Sequence, residues 1–447
     1  MMEQDSDGAC TGVTHPLADA PLATAQNYAL LTSPTERKRA LVILFCSLMC
    51  VGAGQSVLFA ILPPISRKLG ISEIQVTTIF AVSAAIWVFS SPFWGARSDH
   101  VGRKPIMLMG LIAFAVSFGS FASVMLAGLN HLLPMFLIFP LMIATRSIYG
   151  LLGSGTFVSA EAYVADRTTR AERTRWVATI AAAFGLGTTV GPGIGSALVV
   201  FGLFAPFYFI SAAAVISAAA IWYFLPERSR PRSKHPIEKR LKWHDKRMRP
   251  FLIFGFFLSV AGTVPIQTVA FFFMDVLHLK ESAAAQYVGI SLMASSMAAL
   301  FAQLGLVQQF NPSARTLMRW GTVIAVFSNV IFLISHSYGP LVFAMALSGL
   351  GFGMARPGYA AAASLSVSPD EQGAVAGVIG ATSATGFIVG PIIGALYEMS
   401  PLAPYALAGA IMAGLFVYAR FAPALRYAGL VTADAGDEIP ETQVPNA

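Results

Sequence analysis

Apolar residues run in long blocks along most of this chain, separated by short polar breaks. Twelve blocks can be drawn, at 40–65, 74–94, 106–127, 135–165, 176–200, 205–225, 251–274, 284–307, 317–335, 340–364, 373–397 and 403–422. Crossing a bilayer's hydrocarbon takes about 20 mostly apolar helical residues, and each block meets that need. The breaks carry Pro, Gly, Asn or charge, which end apolar helices and form turns. The pattern predicts an all-α membrane protein with twelve transmembrane helices. Its longest polar interval between blocks, 226–250, divides the helices six and six. The expected organisation is a tail at 1–36, a six-helix bundle at 37–225, a basic linker at 226–250, a second six-helix bundle at 251–427 and a tail at 428–447. The first block starts too far in, and is too long, for a cleaved signal peptide, so it reads as the first helix.

Composition agrees. Of 447 residues, 56% are apolar and 11% charged, against about 25% charged in a soluble domain. So little charge excludes a soluble enzyme, a disordered chain and a nucleic-acid-binding module. The formal net charge of +7 is distributed by side. With twelve crossings, 24 of the 29 Lys and Arg fall at one end of the bundle. Only Arg67, Lys68 and Lys280 fall at the other, and Arg146 and Arg356 lie within spans. The positive-inside rule makes the crowded, basic end cytosolic, with both termini there, as an even number of crossings requires. The basic charge then belongs to a membrane surface, with no nucleic-acid partner. Asn311-Pro312-Ser313 is blocked as a glycosylation acceptor by its proline, and the expected location is the inner or plasma membrane. Three cysteines cannot build a disulfide framework. Phosphate loops, zinc spacing and nucleophile triads are absent from the sequence, so the chain reads as neither an ATP-driven pump nor an enzyme.

The halves repeat one another. Gly187-Thr188-Thr189-Val190-Gly191-Pro192-Gly193-Ile194-Gly195 matches Gly386-Phe387-Ile388-Val389-Gly390-Pro391-Ile392-Ile393-Gly394 at an offset of 199, and the same offset pairs Gly150 with Gly349 and Glu172 with Glu371. Two repeats related by an axis along the membrane normal are a transporter architecture, with substrate held between them near the midplane.

The loop Gly95-Ala96-Arg97-Ser98-Asp99-His100-Val101-Gly102-Arg103-Lys104-Pro105 resembles the signature loop of the major facilitator superfamily, with His100 where a second Arg is usual. The Gly-Pro stretch around Pro192 resembles the antiporter motif of its drug:proton antiporters. Arg146, followed by Gly150 and Gly153, resembles their basic motif. Ala162 to Asp166, Glu172-Arg173 and Phe184-Gly185 are similar to the tetracycline-efflux branch of the twelve-helix members. The resemblance implies a fold of two pseudo-symmetric six-helix bundles. It also implies a latch in which Asp99 sits at the N-terminus of the eleventh helix and Arg103 pairs with Asp166, within a loop set of Gly95, Asp99, Gly102, Arg103 and Lys104. It predicts proton-coupled export of a small organic molecule, driven by the proton gradient without a cofactor, by a monomer in the bilayer.

Several residues carry alternatives. Arg146 at a helix centre costs about 2.5–3.5 kcal/mol by insertion scales. It either tunes a nearby carboxylate, binds an anionic substrate group, or is a structural Arg tied to backbone carbonyls. Arg356 is a second cavity cation or a cap on carbonyls freed by Pro357. Glu161 is a proton site or a solvated helix-end charge. Gln55 occupies the first helix where related antiporters often carry an acid, and it and Gln267 can bond a ligand or neighbouring helices. Asp275 is the other candidate carboxylate, at the outer end of the seventh span, and reads more as a loop charge near His278 and Lys280. The small faces Gly187/Gly191/Gly195 and Gly386/Gly390/Gly394 form either a moving seal between the halves or ordinary close packing. An uptake symporter or facilitator for an anionic metabolite is the second functional reading, and a non-transporting sensor or scaffold the third.

Overall fold

The computed structural model describes residues 34–168, 170–226, 247–367, 371–422 and 425. Most of the N-terminal tail, the C-terminal tail and most of the basic linker lie outside the described residues, as do the side chains of Glu172 and Arg173, and the expected tail's last residues, 34–36, open the first helix.

The described chain is helical and carries no strand. Its crossings are α1 (Pro34–Lys68), α2 (Glu73–Val101), α3 (Arg103–Leu129), α4 (Met135–Ile148, a π-helical turn Tyr149–Gly153, then Ser154–Arg167), α5 (Arg170–Leu198) and α6 (Ala205–Phe224). There follow α7 (Arg249–Val276), α8 (Glu281–Leu300, a π-helical turn Phe301–Val307, then Gln308–Phe310), α9 (Ala314–Ile334), α10 (Tyr338–Leu365), α11 (Gln372–Ile388 and Gly390–Met399) and α12 (Ala403–Phe421). Among the described residues, eleven helices are individually long and apolar enough to cross a membrane. The remaining crossing, α11, is broken because Pro391 brings no N–H to the helix. The chain tightens there, and the Ile392 N–H donates to the Val389 carbonyl at 3.0 Å. Both pieces of α11 pack along α2. Large apolar side chains such as Phe89, Phe136, Phe201 and Phe343 point outward, as a lipid-facing surface requires.

Helix ends overrun the apolar blocks where capping allows. The Ser72 side chain accepts from the Gln75 N–H, the Gln75 side chain answers at the Ser72 N–H, and this capping box starts α2. Between α2 and α3 the chain turns on a single residue, Gly102, at φ 107°, a conformation closed to most side chains.

Packing repeats with a period of six helices. In the first half α1 lies on α5, α3 on α4 and α6, and α2 on α4; in the second α7 lies on α11, α9 on α10 and α12, and α8 on α10. The halves meet through α2 with α11, α5 with α8, and α1 with α7 and α8.

The small-residue faces fall differently from the moving-seal expectation. A Cβ at Gly187 would collide with the Met49 carbonyl and one at Gly191 with Ala53 and Ser56, while one at Gly195 would press on Val57. All three therefore pack on α1 of their own half. Gly386 likewise faces Ser259 and Thr263 of α7 in its own half. Only Gly390 and Gly394 touch the other half, at Thr77 and Glu73 of α2. Small residues spaced by four let any neighbouring backbone approach, so their spacing does not say which neighbour it is. On α5 the contact with the other half comes from the flanking positions Gly193 and Ser196, against Met293 and the Ala285 carbonyl of α8.

Candidate functional site

In the first half α4 carries Arg146 inward, just before its π turn. The residue is only 3% exposed. One guanidinium nitrogen donates to Gln55 Oε1 at 2.8 Å, and the group lies 5.4 Å from the ring centres of both Phe118 and Tyr149. Among the described residues its Nε and Nη1 have no partner, and no carboxylate pairs with it. The N–H groups of a buried cation normally find acceptors. Neither the carboxylate partner nor the backbone-carbonyl tether expected for Arg146 is formed in this conformation. Aromatic faces and one amide hold the cation instead.

Glu161 follows two turns after Gly153 on the same helix. It is half-buried and has no hydrogen-bond or ion-pair partner among the described residues. One turn before it, Phe157 packs edge-on against Phe184 of α5, which places this face of α4 towards α5.

In the second half Arg356 of α10 lines a cavity of about 270 Å³ with residues of α7, α8 and α11. Its side chain is exposed to that space and sits 5.9 Å from the Phe352 ring. It makes no hydrogen bond or ion pair among the described residues, so the cap over carbonyls freed by Pro357 is not formed. Gln267 of α7 is 1% exposed with both amide atoms unpartnered, and lies against Gly390 at the break in α11. Thr263 and Thr268 are engaged, donating to the Ser259 and Val264 carbonyls at 2.8 Å.

The end opposite the basic one is closed. Arg67, at the end of α1, pairs with both Asp275 of α7 and Glu73 of α2. The Tyr397 hydroxyl of α11 donates to the same Asp275 carboxylate at 2.7 Å. The Ile74 N–H at the start of α2 donates to Glu398 of α11 at 3.1 Å. Nearer the midplane the Phe59 and Phe387 rings stack with centres 5.6 Å apart. Asp275, expected as a loop charge, is thus the centre of a clamp joining four helices from both halves. The reason is topological: α1 and α7 are repeat equivalents that meet across the pseudo-symmetry axis, so charges far apart in sequence converge.

At the basic end the signature loop is folded onto its own half. Gly95 lets α2 approach α4, since a Cβ there would lie 3.2 Å from Val158. Arg103 bonds Asp99, Ser98 and, at 3.4 Å, Asp166. Lys104 Nζ donates to the Trp222 and Leu225 carbonyls at 2.8 and 2.7 Å, at the C-terminus of α6 where a cation is favoured. Asp99, 58% exposed, pairs with Arg103 alone among the described residues. The expected seat of Asp99 at the N-terminus of α11 is not taken. The described bonds between the halves lie at the opposite end, and that side of the latch is unengaged here.

The Major Facilitator Superfamily profile matches residues 44–310. The chain belongs to this superfamily. Its fold is accordingly the two-bundle fold of secondary transporters, and it is a multi-pass membrane protein. The chain is 25% identical over 396 residues to multidrug resistance protein 2 of Bacillus subtilis, covering 85% of this chain and 94% of that one. It is 27% identical over 379 residues to the class B tetracycline resistance protein of Escherichia coli, covering 80% and 86%. Among solved structures, a bacterial homologue of the human lysosomal transporter Spinster, inward-facing and occupied, superposes with a TM-score of 0.67 at 16% identity, covering 90% of this chain and 94% of that one.

Two parts of the site escaped sequence reasoning. The clamp residues Arg67, Glu73, Asp275, Tyr397 and Glu398 sit at helix ends, where charge is unremarkable. The one available signal was that Arg67 and Asp275 close equivalent helices of the repeat. Gln303 of α8, which lines the same cavity as Arg356, lies within the π turn Phe301–Val307, and that turn is invisible in the sequence.

Proposed function

We propose that this protein exports a small organic or drug-like molecule in exchange for protons, by alternating access between its two halves. The observation that carries the reading is the asymmetry of contact. The halves are clamped at the end opposite the basic one, and a cavity with an uncompensated cation lies in the basic-end half of α7 and α10. The excess of Lys and Arg supports placing that end, and both termini, in the cytosol, so this conformation faces inward. The multidrug and tetracycline resistance relatives support export, and their family supports proton coupling.

Within this reading Glu161 carries the proton. It is the half-buried carboxylate of α4 that no described residue neutralises, whereas Asp99 and Asp166 are held by Arg103. Arg146 keeps its charge throughout and fixes the field in the first half through Gln55. The protein acts as a monomer, with substrate, protons and lipid as its partners and the proton gradient as its energy source.

Reconstitution into liposomes tests the reading. Tetracycline should accumulate against its gradient under an imposed pH difference and stop when an uncoupler is added. Flux equal to that of protein-free liposomes, or indifference to pH and uncoupler, refutes the coupled exporter. Uptake of an anionic metabolite is the second reading, favoured by Gln55 in place of a first-helix acid. Flux direction in inverted vesicles separates the two.

A further inference from the structure

We infer that Arg356 and Gln303 form a subsite for the carboxylate of a small amphiphilic organic anion. The inference rests on the chain being a transporter of small molecules, and it names the class of molecule that the second half is built to hold.

The cavity of about 270 Å³ lies just below the range of roughly 300–1,000 Å³ in which compact drug-sized ligands bind. Its polar lining is mostly committed. Ser259 donates to the Ser383 carbonyl at 2.8 Å and accepts from the Gly386 N–H at 3.2 Å. Ser383 donates to the Ile379 carbonyl at 2.9 Å, and Tyr359 is bonded to Thr382 at 3.0 Å. What remains uncommitted among the lining residues is the Arg356 guanidinium and the Gln303 amide, both exposed and without partners among the described residues. Among the described residues, neither Asp nor Glu lines the space.

Two local features aim these groups. Gln303 sits inside the π turn Phe301–Val307, a wide turn of the kind that redirects side chains at functional sites. Arg356 lies along the bare backbone of Gly262, where an added Cβ would come within 3.2 Å of Nη2. The Phe352 ring borders the same place, 3.0 Å from that Cβ position and with its centre 5.9 Å from the guanidinium carbon.

A fixed cation with no counter-ion among the described residues, in a cleft with largely apolar walls, attracts one negative charge and repels a positive one. The planar guanidinium offers a carboxylate two parallel N–H bonds, and the Gln303 amide offers a third. One cation and one neutral amide match a monoanion rather than a dianion. Leu258, Pro357, Ala360 and Ile379 make the rest of the wall apolar, so the anion's body is hydrophobic.

Three probes that differ essentially in charge test this on the purified full chain: 1-naphthoate, its neutral amide 1-naphthamide, and the cation 1-naphthylmethylammonium. Calorimetric titration should give binding at least tenfold tighter for naphthoate than for the amide, and weakest for the cation. Arg356→Gln should abolish the preference of naphthoate over the amide, and Arg356→Lys should restore part of it. Gln303→Leu should weaken naphthoate several-fold, and unfolding midpoints verify that each variant is folded. No naphthoate binding, equal binding of the three probes, or an unchanged preference in Arg356→Gln overturns the subsite. The transport reading fails separately: a chain that exchanges tetracycline for protons yet ignores naphthoate is an exporter without this subsite.

Discussion

Arg67 and Asp275, 208 positions apart in sequence, form an ion pair that ties the end of α1 to the end of α7. Glu73 and Tyr397 join the same cluster, so α1, α2, α7 and α11 are held at one point. Side chains that are partly exposed make each such bond weak, and that suits a gate which must open on every cycle.

Asp275→Asn should therefore loosen this end by about 1 kcal/mol, roughly fivefold in the equilibrium between closed and open states. Spin labels at the exposed positions 68 and 280 should show a larger long-distance population. Exchanging the charges, Arg67→Asp with Asp275→Arg, should bring back part of the short-distance population. Identical distance distributions in wild type and Asp275→Asn would leave the clamp without a role.

Gly191→Leu should reduce folded protein rather than merely block cycling. The added side chain meets the α1 backbone within the same half, and overpacking of this kind costs about 1–3 kcal/mol or more. Gly414→Ala is the matching control, since nothing lies within 4 Å of its added Cβ. Detergent-solubilised yield and thermal midpoint should fall for the first and hold for the second.

Arg146→Met removes a buried cation whose Nε and Nη1 are unpartnered. Replacing an uncompensated buried charge by an apolar side chain is neutral or stabilising. The unfolding midpoint should hold or rise while transport falls at least tenfold. A large drop in stability with full specific transport would identify Arg146 as structural.

Glu161→Gln should uncouple the cycle. Substrate exchange between two compartments at equal pH should continue, and accumulation driven by a pH difference should disappear. Retention of pH-driven accumulation would move the proton site elsewhere.

Asp99→Asn should lower transport several-fold without loss of folded protein. The latch that the signature loop's resemblance implies for the inward-closed state would need this carboxylate, whereas here, among the described residues, Asp99 pairs only with Arg103. Because the present conformation barely uses it, labels at the basic end should report fewer closed molecules. An unchanged population there would count against the latch.

The crossings were legible in the sequence because the bilayer imposes a length and an apolar composition on each of them. The repeat was legible because Gly and Pro recur at a constant offset. Glu161, Arg146 and Arg356 stood out because an ionised group within an apolar block is conspicuous against its neighbours. The break in α11 was implied by Pro391, although its effect, two short helices on α2, appears only in the fold. Asp275 was passed over because a carboxylate next to a helix end is ordinary until its partner is seen.

The sequence by itself determined that this chain crosses a membrane twelve times in two similar halves with its basic charge at one end. Those properties depend on local hydrophobicity and on internal periodicity, and both are summed along the chain. The tertiary structure alone decided which glycines face their own half and which face the other. It also decided that Arg67 closes on Asp275, and that Arg356 meets an open space with Gln303 beside it. These are relations between helices distant in sequence, set by how two bundles dock, and no pattern within a single helix encodes the neighbour that will lie against it.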